Sequence, residues 1–134
     1  MLDVSATLPW CFEDEATAGS VALLDRLADA VVVVPALWHI ELANALLHGE
    51  RRKRIDSVAV VEFLALIGSL AIEADHWLDQ RVLGTLLAVA RQYRLTAYDS
   101  AYLELAVRRA LPLATRDAAL RGAARSAGIA LTES

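Results

Sequence analysis

Residues 31–54 read VVVVPALWHIELANALLHGERRKR, and the change of pattern inside this stretch decides the fold class. Four consecutive valines closed by Pro35 make a short β-branched run of the kind found in strands covered on both faces. Beyond the proline the apolar spacing lengthens. Leu37, Ile40, Ala43 and Leu47 recur at three and four residues, which predicts a helix over 37–51 with those side chains as its apolar face. A buried strand running directly into an amphipathic helix is half of a βαβ unit.

The same alternation repeats on either side. Short apolar runs at 2–4, 70–73, 113–115 and 129–131 read as further strands, and 16–29, 56–68, 78–94, 99–110 and 117–127 read as helices. Val21, Leu24 and Ala28 mark the expected apolar face of the first, and Leu83, Leu86, Val89 and Ala90 that of the fourth. The expected fold is α/β, a three-layer α/β/α sandwich with a mainly parallel central sheet. No linker, repeat or Gly/Ser/Pro tract divides the 134 residues, so one domain is expected over 1–134.

Composition narrows the function. With 57% apolar and 22% charged residues the chain is not of disordered type. Its longest apolar stretch, 57–72, is broken by Glu62 and Gly68 and is short for a membrane span, so a buried helix is expected there. No secretory signal is visible at Met1-Leu2-Asp3, which implies a cytoplasmic protein. The single cysteine, Cys11, can form neither an internal disulfide nor a zinc site alone and is expected in the core. Surplus apolar content predicts a homodimer or a tight partner. A net charge of −4 restricts any nucleic-acid contact to a local patch. The dense basic run at 51–54 is one such patch, or a solvated helix C-terminus.

Ligands of a doubly wound sheet bind beyond the carboxyl ends of its strands, which directs attention to acids just after strands or at the helix starts that follow. Asp3, Asp99 and Asp117 hold such positions, and Glu41 lies one turn into the helix after the valine run, with Asn44 on its face. Taken singly, Asp99 and Asp117 also read as helix caps and Asp3 as a solvated strand end. Taken together, four acids at one sheet edge repel one another unless a cation shares the site. Oxygen donors without Cys or His suit Mg²⁺ or Mn²⁺.

Leu2-Asp3-Val4-Ser5 with Trp10-Cys11-Phe12-Glu13-Asp14-Glu15, Pro35 through Glu41 and Asn44, Leu95-Thr96-Ala97-Tyr98-Asp99-Ser100-Ala101-Tyr102, and Pro112-Leu113-Ala114-Thr115-Arg116-Asp117 follow in order. On these four elements the chain resembles the PIN-domain family, and within it the VapC-like toxins, over essentially its whole length. The resemblance implies an Mg²⁺ or Mn²⁺ site of Asp3, Glu41, Asp99 and Asp117 that hydrolyses RNA, with Asp3 and Asp99 as principal ligands. It also implies Asn44, Thr115 and Ser5 as supporting polar residues, a homodimer, and an antitoxin partner that brings a basic side chain to the acids.

Other readings are weaker. A phosphoacceptor receiver needs a late lysine, and the only lysine is Lys53; a haloacid-dehalogenase-type phosphatase needs an acid where Ser5 stands; no phosphate-binding glycine loop is present. His39, His48 and His76 lack metal-ligand spacing, and Trp10, Trp38 and Trp77 are expected in packing rather than base stacking. A non-catalytic module that keeps the fold and binds a partner peptide is the remaining alternative.

Overall fold

The computed structural model describes residues 1–76, 80 and 82–134. Strand β1 (Val31–Pro35) pairs in parallel with β2 (Ala71–Asp75), Val31 opposite Ala71 and Pro35 opposite Asp75. Strand β3 (Leu113–Ala114) pairs in parallel with β4 (Leu131–Thr132). Leu2 joins the two pairs. Its N–H reaches the Val33 carbonyl at 3.4 Å, and it forms a parallel bridge with Ala114 on its other side. The order from side to side is therefore β2, β1, Leu2, β3, β4, with β1 and β2, Leu2 and Ala114, and β3 and β4 paired in parallel.

Parallel neighbours need crossovers, and helices supply them. Between Leu2 and β1 run α1 (Val4–Thr7), two 3₁₀ turns at Leu8–Trp10 and Glu13–Glu15, and α2 (Ala18–Leu27). Helices α3 (Trp38–Arg51) and α4 (Ser57–Ser69) link β1 to β2. Helices α5 (Val82–Tyr93) and α6 (Ala97–Arg109) link β2 to β3, and α7 (Ala118–Ser126) links β3 to β4. The α/β/α arrangement is the expected one. Leu2, Val34, Trp38, Tyr102, Leu113 and Leu120 are fully buried at its centre, and every residue of α6 from Ser100 to Ala106 is buried.

Several expectations are corrected. The segment 2–4 is no strand beyond the Leu2 bridge, because Asp3 already stands in the N-cap position of α1 and the chain turns into a helix at Val4. On α3 the buried stripe is Trp38, Leu42 and Leu46, whereas Ile40 is 75% exposed and Leu47 is 47% exposed. Both stripes are apolar, so spacing alone cannot choose between them. On α2 the residues that face inward are Ser20 and Leu23, with Val21 exposed. Leu83 is exposed while Leu86, Val89 and Ala90 are half-buried. Helix α4 is a surface helix: only Phe63 is buried, and Val58, Val61 and Leu64 face outward. The surplus apolar content thus lies on the surface of this chain. Cys11 is half-buried against the core. Trp38 packs in the core, and Trp10 donates from Nε1 to the Ser20 carbonyl at 2.8 Å; Trp77, like residues 78, 79 and 81 of the expected helix, lies outside the described residues. Among the described residues no helix is long and apolar enough to cross a membrane.

Candidate functional site

The turn that ends the Leu2 segment delivers Asp3 to the carboxyl edge of the sheet. Its backbone N–H bonds the Ala114 carbonyl at 2.9 Å, and its side chain is only 8% exposed. Two hydroxyls serve one carboxylate oxygen: Ser5 Oγ donates to Asp3 Oδ2 at 2.5 Å and Thr115 Oγ1 donates to it at 2.6 Å. Each hydroxyl is oriented in turn, because Ser5 Oγ accepts from the Arg116 N–H at 2.9 Å and Thr115 Oγ1 from the Asp117 N–H at 3.1 Å. Thr115 follows β3 and is fully buried, so two sheet segments and the start of α7 fix this acid together.

Glu41 reaches the same region from the first turn of α3. Tyr102, fully buried on α6, donates its hydroxyl to Glu41 Oε2 at 2.5 Å. Burial, that bond and the charges of Asp3 and Glu41 push the Tyr102 hydroxyl far above its ordinary range, so it remains a donor. The sequence reading missed Tyr102 because a buried tyrosine reads as packing. Its signal is the spacing, three residues after Asp99 on one helix, which places both on one side.

Asp99 sits in the first turn of α6 but does not cap it. The cap is Thr96, whose Oγ1 accepts from the Asp99 N–H at 3.1 Å and donates to Asp99 Oδ2 at 2.9 Å. Asp117 does cap its helix: Oδ1 accepts from the Leu120 N–H at 2.8 Å, and the residue is exposed. Asn44 is exposed on α3, one turn beyond Glu41.

Asp3, Glu41 and Asp99 are close enough for their charges to be felt. Burial, above all, raises the Asp3 carboxyl, and the Asp99 charge adds to it against the Ser5 and Thr115 bonds; burial likewise raises Glu41, with Asp3 and Asp99 adding to it. Among the described residues no Lys, Arg or His forms an ion pair with any of the three, and no group of three or more acids, histidines or cysteines stands close enough to enclose a metal ion unaided. Mg²⁺ retains several waters and binds through one or two carboxylates, so acids that are near but not converged, all of them oxygen donors, fit it.

The sequence profile of the PIN domain family matches residues 1–126. A comparison with curated proteins found no match. Among solved structures, the crystal structure of PAE2754 from Pyrobaculum aerophilum is similar, with a TM-score of 0.65 and 26% identity, over 91% of this chain and 76% of that one. With the profile spanning nearly the whole sequence and the parallel sheet carrying its acids at the carboxyl edge, the chain belongs to the PIN domain family.

Proposed function

We propose that this chain is an Mg²⁺- or Mn²⁺-dependent endoribonuclease and the toxin of a toxin–antitoxin pair, acting in the cytoplasm. PIN domains are in general metal-dependent nucleases. The observation that carries the reading here is the trio Asp3, Glu41 and Asp99, which share one sheet edge with hydroxyl side-chain partners and no cationic one among the described residues. Asp3 and Asp99 are the principal metal ligands, with Glu41 and Asp117 joining directly or through water. When bound, the ion supplies the positive charge that relieves the acids, activates water and stabilises a phosphate under attack. Ser5 and Thr115 hold Asp3 in one orientation, Tyr102 holds Glu41, and Asn44 offers an amide to substrate beside Glu41.

Two separate apolar surfaces support two protein partners. A groove of about 360 Å³ between α3 and α4 is lined by Trp38, Leu42, Leu46, Leu47, Leu64 and Ile67. It lies on the side of α3 turned away from Glu41, so an antitoxin helix seated there reaches the acids with a basic residue by passing round the start of α3. Val89 and Tyr93 on α5 with Leu103 and Val107 on α6 line the second surface, a groove of about 360 Å³, which suits a second copy of the chain. Incubating the purified protein with total RNA in EDTA and then in Mg²⁺ or Mn²⁺ tests the enzyme: cleavage only with metal is expected, and none under either condition leaves the non-catalytic module. Growth arrest on expression, relieved by a co-purifying small partner, tests the toxin role, and its absence would remove that part alone.

A further inference from the structure

On α3, Glu41, Ala45, His48 and Arg52 fall within one narrow stripe of the helical wheel, with Asn44 beside it. The stripe leads from the acids to the basic C-terminus of the helix, about 16 Å away at 1.5 Å per residue. At its far end lies a groove of about 210 Å³ with a half-buried apolar floor of Leu8 and Ala45, the Arg54 guanidinium lying over the buried Phe12 ring at one side, and a polar rim of His48 and Arg52.

The groove is built rather than incidental. Gly49 is buried, and a Cβ there would stand 2.8 Å from Phe12 Cε1 and Cζ, so the glycine is what lets the phenylalanine ring lie against α3. The Arg54 guanidinium covers that ring at 4.2 Å and is itself held by Asp14 at 3.0 Å and Glu15 at 2.9 Å. Arg54 is thereby committed to the wall. Arg51, Arg52 and Lys53 are exposed, without ion pairs among the described residues, in a chain that is otherwise acidic.

We propose that this groove is a second RNA-binding subsite, which receives a nucleotide of single-stranded RNA a short distance along the strand from the cleaved phosphate. Arg51 and Arg52 take backbone phosphate, and the apolar floor takes a base face. The outer face of the Arg54 guanidinium above a small apolar floor, with a cationic rim, serves a single strand, whose bases are free to turn down and stack on a guanidinium plane, better than a duplex. The inference rests on the ribonuclease reading for the register of the strand, while binding at the groove is measured separately.

The probe is a fluorescein-labelled dodecamer of single-stranded RNA, followed by anisotropy in EDTA so that no cleavage intervenes. The double variant R51A/R52A is compared with R91A/R125A, which removes the same charge from exposed positions on α5 and α7. Affinity should fall about tenfold in the first and stay unchanged in the second, and the salt dependence should lose about 1.4 from its logarithmic slope as two phosphate contacts disappear. In Mg²⁺, KM for the dodecamer should rise in R51A/R52A with little change in kcat, while a dinucleotide too short to span the stripe should be affected much less. Equal losses in the two doubles, no loss in either, or equally tight binding of a duplex of the same sequence would each overturn the subsite. Failure of the ribonuclease reading has a different signature, no cleavage by the wild type with metal, and leaves the anisotropy comparison to decide the groove.

Discussion

Two groups of acids in this fold are treated in opposite ways. At the end of β2, Asp75 meets Arg108 at 2.6 Å, and Glu104 meets the same guanidinium at 2.7 Å across one helical turn. Arg109 lies 3.3 Å from Glu73. Those acids are neutralised by the chain itself, and Arg108 is held firmly protonated by the carboxylates of Asp75 and Glu104. Asp3, Glu41 and Asp99 meet hydroxyls, the Val4 backbone N–H at Asp3, and one another's charge, with no cationic partner among the described residues. A hydroxyl orients a carboxylate without cancelling its charge, so the first group is finished and the second is left to be completed by a cation from outside.

If that contrast is right, changing one acid of the second group should harm function and spare the fold. Asp99→Asn should lower metal-dependent RNA cleavage by at least about a hundredfold, since even changes to partners of metal ligands cost 10–100-fold. The melting temperature of the metal-free variant should be unchanged or higher, because one repelling charge is gone. Full cleavage by D99N would break the comparison outright.

The finished group should answer in the reverse sense. Arg108→Ala leaves Glu104, 9% exposed, beside Asp75 without the guanidinium they share, and should cost about 1–3 kcal/mol in denaturant unfolding. Cleavage per folded molecule should hold. A variant as stable as the wild type would show that these acids too are open rather than closed.

Tyr102→Phe sharpens the contrast at a single hydrogen bond. The ring stays in the core and only the hydroxyl that orients Glu41 is removed, so stability should change little while Mn²⁺ affinity, read by calorimetry, falls about tenfold. Unchanged affinity would make Tyr102 a packing residue and nothing more.

How much of this was legible follows from which signals are local. The valine run and the helical spacing after it gave the layers, and position at a strand end or a helix start picked out Asp3, Asp99 and Asp117. The choice of stripe on α3 was illegible because Ile40 and Leu47 are as apolar as Leu42 and Leu46, and the sheet, not the helix, decides which is covered. Asp99 and Asp117 also looked alike. What separates them is Thr96, which takes the cap of α6 and frees Asp99 of that duty, whereas nothing before α7 relieves Asp117. Tyr102 escaped notice because its bond to Glu41 spans 61 residues of sequence.

The smallest effect expected is on stability against pH, and its sign distinguishes the two groups. Burial raises the Asp3 carboxyl above its unfolded value, and burial with the neighbouring acids does the same for the half-buried Glu41. A carboxyl raised in the folded state binds its proton more tightly there than in the unfolded chain. The stability it contributes is therefore full below the ordinary carboxylate range and is lost as pH rises through the folded value. The metal-free protein should thus melt on the order of a few °C lower at neutral pH than in mildly acidic buffer, apart from any change due to its other acids. Asp99→Asn should shrink that difference, since it removes a charge that raises both groups. Mg²⁺ or Mn²⁺ should raise the melting temperature at neutral pH and do little in acid, where protons already occupy the carboxylates and compete with the ion. A metal-free melting temperature that climbs toward neutrality, and is as high in D99N as in the wild type at every pH, would mean that the second group of acids carries no unrelieved charge.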